Sequence, residues 1–295
     1  MIPPDVSDLE PETPPRGDRW RQAWLVVLAA TLVVFAVVAV GQGAGADSEP
    51  VGSPTLSEAP EPAVTTEPAP STPRPAPTLE SQPVATGIFP AKGLLRMPGA
   101  VPTRGSGTFE YASGRGPVAG KRGPLRRYRV AVERGSNEDA RAFAEQVQSI
   151  LSDGRSWTGN GRERLQMVGG SERSEFTVLL ATRDTAGLMC GRGGTNIRIN
   201  GVPFTSCRTS GKAIINLDRW RGSARPFVEA RVDLATYRQY VINHEVGHEL
   251  GHRHEGCPKA GGPAPVMVQQ TITVRGCRPY AWPRLGNRDF SGPTL

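Results

Sequence analysis

Residues Ala23–Val40 contain no charged side chain and consist almost entirely of Leu, Val, Ala and Phe. A helix of these 18 residues rises about 27 Å, close to the hydrocarbon thickness of a bilayer. Water-soluble folds do not expose such a run, so it divides the chain into parts that must be read separately. Trp20 and Trp24 stand at its leading end, where interfacial aromatics prefer to lie. Arg16, Arg19 and Arg21 precede it, whereas no Lys or Arg follows before Arg74. This asymmetry predicts a cytoplasmic tail over residues 1–22, a single-pass transmembrane helix over 23–40, and an extracellular remainder. The rival reading is a cleavable export signal with a small-residue site at Ala44-Gly45-Ala46 and a secreted product. Both readings export the C-terminal part.

Residues 41–86 form a second segment with its own character. Ten prolines lie between Pro50 and Pro83, among Thr, Ser, Glu and Ala, with almost no aromatic or branched apolar residue. Such a stretch buries too little surface to offset its ordering entropy, and the expectation is a disordered, extended stalk. Six acids against Arg74 make residues 47–84 acidic, and the tail before the apolar run is also net acidic. The rest is therefore more basic than the +7 of the whole chain. A basic exported part attracts anionic cell-envelope polymers or lipid headgroups, and its location outside the cell argues against nucleic acid as a partner.

Order is expected over residues 87–295, as one domain. Thr108-Phe109-Glu110-Tyr111 and Tyr128–Glu133 alternate as strands do. A helix should follow, capped by Ser136, with Glu138 and Asp139 in its first turn and an apolar stripe of Ala140, Phe143, Ala144, Val147, Ile150 and Leu151. Strand-like runs come next at Arg164–Val168, Phe176–Ala181 and Ala213–Leu217. This order predicts an α+β fold, a twisted mixed sheet with helices packed on it. Four cysteines at 190, 207, 257 and 277 lie in the exported part and predict two disulfides. Of the three possible pairings, Cys190–Cys207 with Cys257–Cys277 is preferred, because each closes a Gly-rich loop of about 20 residues, worth ~3 kcal/mol in the chain-entropy model. Metal ligation by cysteine is disfavoured by the lack of any C-x-x-C pair.

All four histidines of the protein fall within residues 244–254. The run Leu234–Asn243 before them lacks Gly and Pro, and Asp233 can cap it, so a helix should carry the first two. His244 and His248 are then one turn apart on one face and can reach a single cation. Glu245 sits ~100° round the helix, beside the cation, where a base is needed to take a proton from water. Gly251 ends the helix and turns the chain sharply, so that His254 returns as a third ligand. Three protein ligands leave a fourth position open, which is how catalytic rather than structural Zn2+ is held.

The string His244-Glu245-Val246-Gly247-His248-Glu249-Leu250-Gly251-His252-Arg253-His254 resembles the H-E-x-x-H-x-x-G-x-x-H signature of the metzincin zinc metallopeptidases. The resemblance implies Glu245 as general base, His244, His248 and His254 as ligands, and His252 as a non-ligand in a variable position. It further implies that Met267, in Pro263-Ala264-Pro265-Val266-Met267-Val268, forms a Met-containing turn beneath the cation. Glu255, directly after His254, is similar to the astacin branch, but Gln269 stands where astacin-like and serralysin-like members carry a Tyr. The anchor, the stalk, the Asn243–His248 helix and Pro265-Val266-Met267 also resemble an exported metallopeptidase-like domain of unknown function from high-GC Gram-positive bacteria. The implied activity is hydrolysis of a protein or peptide substrate by a membrane-anchored extracellular endopeptidase. A strand near Ile197–Asn200 or Ala213–Leu217 would pair with that substrate. A non-catalytic zinc-binding envelope protein and a peptidoglycan stem-peptide amidase are the alternatives.

Overall fold

The computed structural model describes residues 87–295. The transmembrane helix expected over 23–40 and the stalk over 41–86 lie outside the described residues. No helix among the described residues is long and apolar enough to cross a membrane.

The strands are β1 (Phe109–Tyr111), β2 (Leu125–Glu133), β3 (Arg164–Met167), β4 (Phe176–Ala181), β5 (Arg198–Ile199), β6 (Val202–Pro203), β7 (Cys207–Thr209), β8 (Lys212–Asn216), β9 (Arg284–Leu285) and β10 (Arg288–Asp289). Six of them form one sheet in the order β1-β2-β4-β8-β7, with β3 also paired to β2. β3 and β1 share one edge of the long β2, against its first and last residues respectively, while β4 takes the other edge. The pairs β2–β3, β2–β4 and β4–β8 are parallel, and β1–β2 and β7–β8 are antiparallel, so the sheet is mixed. β5–β6 and β9–β10 are separate hairpins.

Helices cover both faces. Alternate residues Tyr128, Val130 and Val132 of β2 and Phe176, Val178 and Leu180 of β4 point into the larger core. They meet Phe143, Val147, Ile150 and Leu151 of α1 (Ala140–Ser152). The intervening Ala131, Leu179 and Ala181 meet Ala186 and Cys190 of α2 (Arg183–Arg192) on the opposite face. All six residues of β4 are buried for this reason, as a strand covered on both sides requires. The short α3 (Leu217–Gly222) and α4 (Arg225–Glu229) lead into α5 (Leu234–Glu249), which adds Tyr237, Tyr240 and Val241 to the larger core. Arg238 of α5 is buried; its Nε donates to Trp220 O (2.9 Å), its Nη1 to Gln146 Oε1 (2.9 Å), and its guanidinium lies 4.2 Å from the Trp220 ring. Burial pushes its pKa down to about 10, and the three contacts tie α5 to α3 and α1.

The fold is thus the expected α+β arrangement, with differences of detail. α1 is capped by Asp139, whose carboxylate accepts from Ala142 N (2.7 Å), and not by Ser136. Asn137 adopts φ 60, a left-handed value that no helical turn accommodates, so the helix starts only after it. Ser136 Oγ accepts from Glu138 N instead, in a local turn. α2 is not foreseeable from periodicity, since Gly187 and Gly191 interrupt it and no apolar stripe runs along it. The segment Ala213–Leu217, expected to be open to substrate, is β8 and Leu217; β8 is paired on one side with β4 and on the other with β7. The strand at the end of the sheet is β7. Cys190–Cys207 (Cα–Cα 6.1 Å) joins α2 to β7, and Cys257–Cys277 (5.7 Å) closes the loop after α5, the pairing preferred from sequence. Two disulfides point to an oxidising, extracytoplasmic compartment.

Candidate metal centre

α5 begins where Asp233 Oδ1 accepts from Thr236 N (3.1 Å) and ends with Glu249, Leu250 and Gly251. His252 N donates to Gly247 O (2.9 Å) and Gly251 N to His248 O (3.2 Å). This is the Schellman pair of bonds, and it places Gly251 at the left-handed position, φ 96. A residue with a Cβ is strained there, so Gly251 allows the chain to reverse. After the reversal, Glu255 N donates to Met267 O (3.1 Å), Gly256 N to Pro293 O (2.7 Å) and Leu295 N to His254 O (3.1 Å). Backbone bonds on both sides therefore pin the His254 segment.

His244, His248 and His254 come together, with one ring nitrogen from each lying within 4.8 Å of the others. His244 Nδ1 donates to Val266 O (2.8 Å), and His248 Nδ1 donates to His252 O (2.8 Å). With Nδ1 protonated, Nε2 of each ring keeps its lone pair, the tautomer a metal ligand requires. His248 Nε2 and His254 Nε2 are 3.1 Å apart. Two nitrogens at ~2.0–2.1 Å from one tetrahedral cation are ~3.3 Å apart, so the spacing suits a shared ion. Burial, with the neighbouring histidines, pushes the pKa of His244 down to about 3 and that of His254 down to about 4. The rings are therefore unprotonated at neutral pH, as ligands must be.

The Pro265–Met267 turn supports this cluster from below. Its carbonyls take His244 Nδ1–H and Glu255 N–H, as described above, and Met267 is 1% exposed. A Cβ on Gly247 would lie 2.6 Å from Met267 Sδ and 2.7 Å from Trp157 Cζ2. The glycine inside the histidine motif thus makes room for both. Gln270 clamps the turn, donating from Nε2 to Pro265 O and Tyr280 O and accepting from Tyr280 N. Asn243, fully buried, accepts from Ser156 Oγ and donates to Ala281 O, and Trp157 Nε1 donates to its carbonyl. The bracing roles of Gln270, Asn243 and Trp157 carry no sequence signal, because the groups they bond are brought to them by the fold and not by a regular spacing.

Glu245 is 5% exposed and lines the same cleft, of about 530 Å³, as the three histidines. Burial, with Glu249 nearby, pushes its pKa up to about 8. His252 stays out of the cluster: its ring stacks on Trp157 (centroids 4.1 Å) and only its carbonyl serves, as the acceptor for His248. Glu255 Oε2 accepts from Gly292 N (3.0 Å), so this carboxylate holds the tail rather than solvent. Gln269, two residues after Met267, lines the cleft.

A family described as "Protein of unknown function (DUF3152)" matches residues 95–281, more than half of the chain. The chain belongs to the DUF3152 family. The DUF3152 match takes in the whole histidine cluster, Glu245 and the Met267 turn, and ends before the segment Gly292–Leu295 that braces Glu255. No curated protein and no solved structure matches the chain. The three-histidine group can hold a metal ion, and its fit rests on the donor set described above.

Proposed function

We propose that this domain is an extracellular zinc-dependent peptidase of metzincin type, with His244, His248 and His254 as ligands and Glu245 as general base. The supporting observation is the convergence of three lone-pair-bearing imidazole nitrogens beside a buried carboxylate in one cleft. A zinc ion held there supplies Lewis acidity, polarising a scissile carbonyl and bringing the pKa of water to about 7. Glu245 takes a proton from the attacking water and passes it to the leaving amine, a role its place in the cleft beside the histidines allows. Met267 and Gly247 keep the turn packed under His244, and Gly251 returns His254 to the cleft. β7, at the end of the sheet and lining the cleft, offers an edge for an extended peptide.

The test is zinc stoichiometry together with turnover of an unstructured protein. The expected result is one zinc per chain, activity abolished by a chelator, and a loss of about 10²–10⁴-fold in kcat for Glu245→Gln with zinc retained. Full activity in that variant would sink the mechanism. A second reading, a zinc-binding protein without catalysis, is favoured by the tyrosines. Tyr280 donates its hydroxyl to Arg284 O, and the Tyr240 hydroxyl donates to Val268 O and accepts from Gln270 N. Stoichiometric zinc with no cleavage of either casein or isolated cell wall would select it, whereas cleavage of cell wall alone would mark an amidase.

A further inference from the structure

The cleft beside the histidines carries more positive charge than proton transfer at Glu245 needs. Arg198, Arg208 and Arg253 line it, and Glu245 is the one carboxylate in the lining. The three arginines come from three different segments, hairpin β5–β6, strand β7 and the reversal after α5, and Arg198 Nη1 donates to Gly201 O (3.0 Å) within its own hairpin, which leaves Arg208 and Arg253 for an occupant. All three residues are exposed, so charge repulsion is not forced on them by burial. Arg208 is held in place by an ion pair from Nε to Glu249 Oε1 (3.3 Å), whose side chain is 5% exposed. A guanidinium has five donors, and one bond to Glu249 leaves the fork free for a second carboxylate. Ile199 and Ile272, 39% and 48% exposed, line the same cleft. An occupant that satisfies this surface carries anionic and apolar groups together, on a backbone that can lie along β7. A phosphate or sugar-acid polymer lacks the apolar groups; an acidic polypeptide has all three.

We propose that the cleft selects polypeptide segments carrying carboxylates beside a large apolar residue, with Arg208 and Arg253 reading the carboxylates. The selection rests on the peptidase reading for what becomes of the bound segment, and not for the binding itself. Each exposed ion pair is worth about 1.5- to 5-fold, and two at about threefold each give roughly 10-fold discrimination. The effect is screened over a Debye length of about 10 Å at 0.1 M salt.

The experiment measures fluorescence anisotropy of labelled decapeptides on the full chain loaded with zinc, in a Glu245→Gln background so that the probe is not consumed. One peptide carries Asp and Glu around a central Leu, and its counterpart carries Asn and Gln. The acidic peptide should bind about 10-fold more tightly, and the gap should narrow in Arg208→Gln and in Arg253→Gln and close in 1 M salt. Arg253 is exposed, so its variant keeps the test valid if loss of the Arg208–Glu249 pair perturbs folding. Equal affinities, a gap that survives the double variant, or displacement by polyphosphate of matched charge as effective as by the acidic peptide would overturn the proposal. Cleavage by the unsubstituted chain is followed in parallel. Selective binding without cleavage removes the peptidase reading alone, and cleavage without acidic preference removes this inference alone.

Discussion

At Gly247 the helix position is set by its neighbours rather than by helical propensity. Alanine is ordinarily better than glycine inside a helix by about 0.5–1 kcal/mol. Here the added methyl would meet Met267 Sδ and the Trp157 ring at under 3 Å, and overpacking of this kind costs about 1–3 kcal/mol. Gly247→Ala is therefore expected to lower the melting temperature by several degrees, whereas Gly191→Ala in α2, with open space around its Cβ position, should raise it slightly. Equal responses of the two variants, read by circular dichroism, would contradict the packing described. The histidines, Glu245 and Gly251 are legible in the sequence because local spacing and one left-handed turn bring them together. Gln270 and Asn243 are not, since a buried amide shows its role only through its partners.

Among the elements, the loop closed by Cys257–Cys277 bears most directly on the metal centre. It spans 20 residues and contains the Pro265–Gln270 turn that accepts from His244 and Glu255. Opening it restores chain entropy worth about 3 kcal/mol to the unfolded state. The Cys257→Ser/Cys277→Ser chain should show a lower denaturant midpoint and faster loss of zinc to a chelator. The Cys190→Ser/Cys207→Ser chain, which frees α2 from β7, should lose stability with a smaller effect on zinc retention. Indistinguishable zinc retention in the two would mean that the turn holds itself. Element types were readable wherever the pattern was strong, as in β2, β4, α1 and α5. α2 escaped because two glycines break its pattern, and the role of β8 was misplaced because a five-residue apolar strand reads alike at an edge or in the middle of a sheet.

For the whole molecule, the buried site makes stability of the metal-free chain depend on pH in both directions. His244 and His254, with pKa about 3 and about 4 against 6.5 when unfolded, resist protons that the unfolded chain accepts, so stability is lost as pH falls below 6.5. Glu245, at about 8 against 4.5, keeps a proton that the unfolded chain releases, so it removes stability as pH rises toward 8. The histidines outnumber it below 6.5, and the melting temperature should therefore peak near pH 6.5. A profile rising steadily to pH 8 would show that Glu245 is not buried as described. Zinc should add stability on both sides of that peak and lose its effect only as pH falls toward 4, where the folded rings begin to take protons. By itself the sequence determined the donor set and the turn that returns His254, which depend on residues within a few turns of one another, and the α+β class, which follows from the order of locally patterned strands and helices. The tertiary structure alone decided which strand ends the sheet, that Gly247 makes room for Met267 and Trp157, and that three arginines from separate segments line one cleft. Those relations are made between segments far apart in the chain, where short-range periodicity carries no information.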